Sequence, residues 1–227
     1  MINDQKVRIK CKELVKKISI YKDRLAVQLN DKILIYLASS DETKEMKYKL
    51  FKKINKSVEC SLLVVTSHDI ILCQEKKLQM MNFVGEIERE WILESLIRYI
   101  KVLGGPSKKE SLLVGLKNGN VLKIFIDNSF PIVLIKQNVP IRCVDVSLGK
   151  TKLAVVDDNN NLSVYDLVTK DLLYSEMNVT SVAWNTDLDD ILAYSGNGML
   201  FIKTGNIPPT TQKMNGFVVG FKVIFTY

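Results

Sequence analysis

A single histidine, His68, stands in the sequence, and that scarcity removes most acid–base chemistry at neutral pH. Ser-His-Asp and Cys-His nucleophile systems need an imidazole to take the proton. They would have to use His68, which reads as a solvated residue of a turn shared with Asp69. No serine or cysteine occupies a Gly-x-Ser-x-Gly elbow. The four cysteines, Cys11, Cys60, Cys73 and Cys143, lie inside apolar strand patterns without a Cys-x-x-Cys pair. That pattern reads as buried reduced thiols rather than disulfides or zinc ligands. The run Gly104-Gly105-Pro106-Ser107-Lys108-Lys109 joins glycines to lysines but lacks the spacing of a phosphate loop, and no helix pattern follows it. Asp157-Asp158 and the trio Asp187, Asp189 and Asp190 fall in hinges without the alternating ligands and closing glutamate of a calcium loop. No apolar run approaches the ~18 residues of a membrane span, and the first residues are polar rather than signal-like. The residues themselves therefore predict no catalytic, cofactor-binding or metal-binding group, no transmembrane segment, and a cytoplasmic setting.

Apolar residues are plentiful, 47% of the chain, and they are arranged periodically. Leu112 to Phe125, LLVGLKNGNVLKIF, is an apolar run, a small polar hinge and a second apolar run ending in an aromatic. Two antiparallel strands joined by a tight turn are written this way. The same phrase returns as KLAVVDDNNNLSVY at Lys152 to Tyr165 and as ILAYSGNGMLFIK at Ile191 to Lys203. Weaker copies stand at Ile70 to Met81 and Leu25 to Tyr36. The anchors Ile33, Leu78, Leu122, Leu162 and Leu200 recur at intervals of 45, 44, 40 and 38 residues. Hairpins repeating at about 40 residues predict the blades of a β-propeller.

The expected fold is all-β, a WD40-like propeller of about five blades plus part of a sixth, forming an incomplete ring and one domain over 1–227. Blades are expected at 6–54, 57–93, 96–136, 139–175 and 179–214, with a partial one at 216–227. Ala38 to Lys47 reads as a polar linker inside the first blade. Tyr165-Asp166 stands where a WD repeat carries its Trp-Asp pair, but no Gly-His dipeptide occurs, so the repeat signature is degenerate. Trp91 and Trp184 lie within apolar strands and read as packing residues.

Charge is unevenly placed. Residues 1–56 hold 15 Lys or Arg against 7 Asp or Glu, and the remainder 17 against 18. Lys6 to Lys12, KVRIKCK, alternates strictly and predicts a strand with Val7, Ile9 and Cys11 inward and Lys6, Arg8, Lys10 and Lys12 outward. With Lys16 and Lys17 these basic residues form the candidate interaction surface. It suits an acidic protein partner or peripheral contact with anionic lipid. Aromatics for base stacking are missing from that face, which argues against nucleic acid.

Longer strings carry a more specific signal. KVRIKCKELVKKISIY at Lys6 to Tyr21, EREWILESLIRYIKVLGGP at Glu88 to Pro106, LLVGLKNGNVLKIFIDN at Leu112 to Asn128, SVAWNTD at Ser181 to Asp187 and GFVVG at Gly216 to Gly220 resemble the intraflagellar transport protein 122 family. With ILCQEKKLQ at Ile71 to Gln79 and KLAVVDD at Lys152 to Asp158, they match the second of that family's two N-terminal propellers. The resemblance implies a non-enzymatic scaffold subunit of intraflagellar transport complex A, supporting retrograde ciliary transport and the entry of membrane proteins into cilia. The implied partners are the other complex A subunits and tubby-like adaptors. The implied locations are the cytoplasm, the cilium and the ciliary base. Against the family pattern, the first propeller and the helical tail are missing, so a fragment, an isoform or an incomplete gene product is expected. The alternative is the propeller of another vesicle-coat or peripheral membrane trafficking protein that binds acidic partners or anionic lipid.

Overall fold

The computed structural model describes residues 7–40 and 46–222, and among these every regular element is a strand. Twenty strands form five sheets of four. The first holds β1 (Lys17–Tyr21), β2 (Arg24–Gln28), β3 (Ile33–Ser40) and β4 (Met46–Ile54). The second holds β5 (Leu62–Val65), β6 (Asp69–Gln74), β7 (Lys77–Asn82) and β8 (Ile87–Ile92). The third holds β9 (Ile97–Gly104), β10 (Ser111–Leu116), β11 (Asn120–Phe125) and β12 (Ile132–Lys136). The fourth holds β13 (Ile141–Val146), β14 (Lys152–Asp157), β15 (Leu162–Asp166) and β16 (Leu172–Glu176). The fifth holds β17 (Ser181–Trp184), β18 (Ile191–Gly196), β19 (Met199–Thr204) and β20 (Thr210–Lys213). In each sheet the strands neighbour one another in chain order.

Burial within each sheet follows the apolar content of its strands. The second strands, β2, β6, β10, β14 and β18, are continuous apolar runs and are buried on both faces along most of their length. The fourth strands are mixed in sequence and mostly exposed, β20 throughout. The repeat anchors Ile33, Leu78, Leu122, Leu162 and Leu200 all fall in third strands, and only Leu200 is less than fully buried. Each fully buried Ile or Leu contributes roughly 1.5–3 kcal/mol by leaving water.

The hinges explain why the runs fold back. Asn197 and Gly198 have φ of 51° and 73° between the paired Gly196 and Met199. Both central residues in the left-handed region make a type I′ turn, whose twist matches that of the strands it joins. At Gly119, φ is 89° and a Cβ would stand 2.1 Å from the Gln137 carbonyl oxygen. Only glycine fits there.

By contact the chain forms two compact units, Met1–Leu112 with Ile124–Phe130 and Leu113–Lys123 with Pro131–Tyr227. In the first unit, Ala26, Ile33, Ile35 and Ile54 pack with Leu63, Val65, Ile70, Leu72, Met81 and Phe83 in one core. The Val65 amide donates to Ser19 Oγ at 3.0 Å, tying β5 to β1. In the second unit the buried Asp145 plays the corresponding part: its Oδ2 accepts the Trp184 amide at 2.8 Å, tying β13 to β17.

Four local expectations are corrected. Val7 to Lys12 is not a strand, because no neighbouring segment pairs with it among the described residues. The supposed linker at Ala38 to Lys47 is largely strand, with Ala38 paired to Tyr48, Ser39 to Lys47 and Ser40 to Met46; residues 41–45 lie outside the described residues. Asp69 is not a solvated turn residue. It opens β6 and is buried, its amide donating to Thr66 Oγ1 at 3.0 Å. Gly216 to Gly220 forms no sheet strand. It runs beside β17, where the Val218 amide donates to Ser181 Oγ at 2.6 Å and Phe221 makes one parallel bridge to Asn185. The expected strand at 222–227 falls almost wholly outside the described residues.

Candidate functional site

Of the six basic residues singled out by alternation, Lys6 lies outside the described residues. Arg8, Lys10, Lys12 and Lys16 are exposed, and Lys17 is half-buried as the first residue of β1. The alternation sets the facing correctly although no strand forms. Ile9 and Cys11 pack against Leu25, Val27, Leu29 and Tyr36, which turns the basic side chains between them to solvent. Val7 does not join them and is 41% exposed.

Lys16 and Lys17 also border a cleft of about 490 Å³ whose far side carries Val58, Cys60 and Gln74. Gln28 spans it, its amide donating to the Val58 carbonyl at 2.6 Å while its Oε1 accepts from the Cys60 thiol at 3.4 Å. Burial pushes the Cys60 thiol up, and Lys17, Gln28 and Lys16 offset that only in part. A thiol held protonated is a poor nucleophile, so this cleft offers basic charge rather than covalent chemistry.

A second cavity of the first unit, about 410 Å³, is lined by Arg24, Phe51, His68, Asp69, Phe83 and Lys108 among others. Burial, reinforced by the Glu88 charge, raises Asp69 to about 6, against the opposing pull of His68 and Lys108. Arg24 bonds Asp23 at 2.6 Å with its guanidinium over the Phe51 ring, 5.5 Å from the centroid. His68 therefore has a buried carboxylate beside it in sequence, but no serine or cysteine lines this cavity. No group of three or more His, Cys, Asp or Glu is placed to hold a metal among the described residues.

The alternation argument missed a second basic surface. Lys47, Lys49, Lys52, Lys53 and Lys56 are exposed on and just after β4, with no acidic residue from Met46 to Val58. Their signal was in the charge count of the first quarter, and a search for strict alternation passed over it.

Known proteins resemble this chain along its whole length. The family model described as the IFT122 second beta-propeller matches residues 1–227. The protein named intraflagellar transport protein 122 homolog of Xenopus tropicalis is 60% identical over 221 residues, covering 97% of this chain and 19% of that protein. Its human counterpart is 58% identical over 221 residues, covering 97% of this chain and 18% of that protein. The chain thus spans about a fifth of the length of the curated relatives it matches. Among solved structures, the crystal structure of RRP9 WD40 repeats superposes with a TM-score of 0.61 over 92% of this chain and 69% of that one, at 13% identity, a likeness of fold alone. Five four-stranded antiparallel sheets, hairpins at a near-constant period and a family match over every residue agree, and the chain belongs to the IFT122 second β-propeller family.

Proposed function

We propose that this chain is a non-catalytic interaction module of intraflagellar transport complex A, one propeller of a scaffold subunit. The observation that carries the reading is 57–60% identity to intraflagellar transport protein 122 homologs over 97% of the chain. The chemistry supports it: the candidate thiol is held protonated and the lone histidine has no nucleophile in its cavity. On this reading the parent protein works in retrograde ciliary transport and ciliary membrane-protein traffic, in the cytoplasm, the cilium and the ciliary base. Its partners are other complex A subunits and tubby-like adaptors. Propellers offer such partners rims and sheet edges rather than a deep substrate site.

A second reading rests on the exposed Arg8, Lys10, Lys12 and Lys16 together with the lysines of β4. They suit peripheral contact with anionic lipid, each near-surface charge contributing about 1 kcal/mol. No helix among the described residues is long and apolar enough to cross a membrane.

Two arms of one experiment separate the readings. Affinity capture of the parent chain from ciliated cells recovers complex A subunits on the scaffold reading, and their absence refutes it. Sedimentation with phosphatidylserine vesicles, wild type against a variant carrying Glu at 8, 10, 12 and 16, reports on lipid. Loss of sedimentation in the variant alone supports lipid contact, and identical behaviour of both chains removes it.

A further inference from the structure

The second unit holds a cavity of about 330 Å³ that neither the repeat pattern nor the family match assigns. That volume falls in the range of small-ligand and side-chain sites. Its lining includes Lys152 from β14, Leu173 and Tyr174 from β16, Trp184 from β17 and Lys203 from β19.

Three features of the lining are unusual together. Trp184 is 5% exposed, and its indole N–H is buried with no acceptor. The other tryptophan, Trp91, donates its indole N–H to the Asn128 carbonyl at 3.0 Å, as buried indoles generally do. Secondly, the two lysines differ. Lys152 pairs with Asp190, whereas Lys203 lies over the Tyr174 ring at 4.7 Å, donates to the Ile207 carbonyl at 3.2 Å and meets no carboxylate among the described residues. The nearby Asp166 carboxylate is already engaged, accepting the Thr169 and Val168 amides at 2.9 and 2.7 Å, and those bonds hold it below the usual carboxylate range. Thirdly, one wall is rigid and apolar. The Tyr174 and Tyr194 hydroxyls bond each other at 2.7 Å, and Tyr194 stacks on Phe201 with centroids 4.9 Å apart. At this wall Leu173 is 50% exposed.

An unpaired cation, an unmet donor and an exposed apolar wall are complementary to one kind of guest. We propose that this cavity docks a short extended segment of a partner protein. A large apolar side chain of the segment lies against Leu173, Tyr174 and Trp184, a backbone carbonyl accepts the Trp184 N–H, and an adjacent carboxylate meets Lys203. A basic segment is disfavoured because it would set its charge against Lys203. The site deepens the scaffold reading by naming a partner chemistry, and it can be tested on the chain alone.

The test is titration of the isotopically labelled 227-residue chain with acetyl-Leu-Glu-Leu-Glu-amide and, separately, acetyl-Leu-Lys-Leu-Lys-amide, following the two indole N–H resonances by NMR. A Trp91→Phe variant assigns them. The acidic peptide is expected to move the Trp184 resonance saturably and leave that of Trp91 in place, while the basic peptide moves neither. Lys203→Glu should weaken binding by at least ~10-fold, as reversal of a contact charge does, and Lys203→Gln, which keeps most of the stem over Tyr174, by less. Both variants replace a surface side chain, and spectra dispersed like the wild type certify their folding. An unmoved Trp184 resonance, equal response to the two peptides, or unchanged affinity in Lys203→Glu overturns the proposal. Any of these leaves the capture of complex A subunits by the parent chain untouched, so the two claims fail separately.

Discussion

Replacing Asp69 by asparagine should make the protein more stable at neutral pH. The carboxyl lies at the start of β6, 6% exposed, near Glu88 and Glu110, with His68 and Lys108 as the opposing charges. In the folded chain it keeps its proton until about pH 6, against 3.8 for an ordinary aspartate. The folded state therefore binds the proton more tightly than the unfolded chain. This contribution to stability is fully present below pH 3.8 and is lost as pH rises through about 6. Each tenfold change in protonation equilibrium is worth about 1.4 kcal/mol, which sets a ceiling of about 3 kcal/mol. Because the carboxyl borders a water-filled cavity, screening reduces this to about 1–2 kcal/mol. Asparagine cannot ionise, and the contacts between Thr66 and Asp69 that survive the change are backbone ones at residue 69. Urea unfolding of both chains at a series of pH values isolates the effect, since every other titration cancels in the difference. The stability of Asp69→Asn relative to wild type should rise by about 1–2 kcal/mol from about pH 4 to about pH 7.5. A flat difference, or one that falls with pH, refutes the reasoning.

Other outcomes follow from hinges, anchors and thiols. Gly119→Ala should cost about 2–4 kcal/mol in urea unfolding, because φ of 89° and a Cβ 2.1 Å from the Gln137 carbonyl oxygen leave the backbone no room to adjust. Leu162→Ala should cost about 2–5 kcal/mol, and Leu200→Ala, at a half-buried anchor, less than half of whatever Leu162→Ala costs. With Ellman's reagent near pH 8, Cys73 and Cys143 should react only on unfolding, and Cys60 more slowly than a free thiol, since burial raises Cys60 and Cys73 and both Cys73 and Cys143 are buried.

The repeat was legible because each hairpin carries its own signal: an apolar run, a turn whose residues accept positive φ, and a second apolar run. Asn197-Gly198 and Gly119 are where the sequence names the turn outright. Alternation was only partly informative. At Ile9 and Cys11 it told which side chains face inward, but it carries no information on whether another segment is free to pair, and none does. Gly216 to Gly220 misled for the same reason, having strand-like residues and side-chain bonds to β17 in place of a ladder. Burial of Asp69 was hidden because a His-Asp pair between two apolar runs looks like a solvated hinge, and only the tertiary fold sets Glu110 and Glu88 beside it. The cavity at Trp184 was beyond any local reading. Its lining comes from five strands of two sheets, and a lone tryptophan in an apolar strand gives no sign that its N–H lacks an acceptor.

The central claim is that this region carries protein contacts within complex A. Lysine-directed cross-linking of the complex purified from ciliated cells, read by mass spectrometry, tests it most directly. The account predicts cross-links from the exposed lysines of this region, among them Lys10, Lys12, Lys16, Lys49 and Lys52, to at least one other subunit. A complex that contains the region, with its lysines reactive yet linked only to one another, would contradict it.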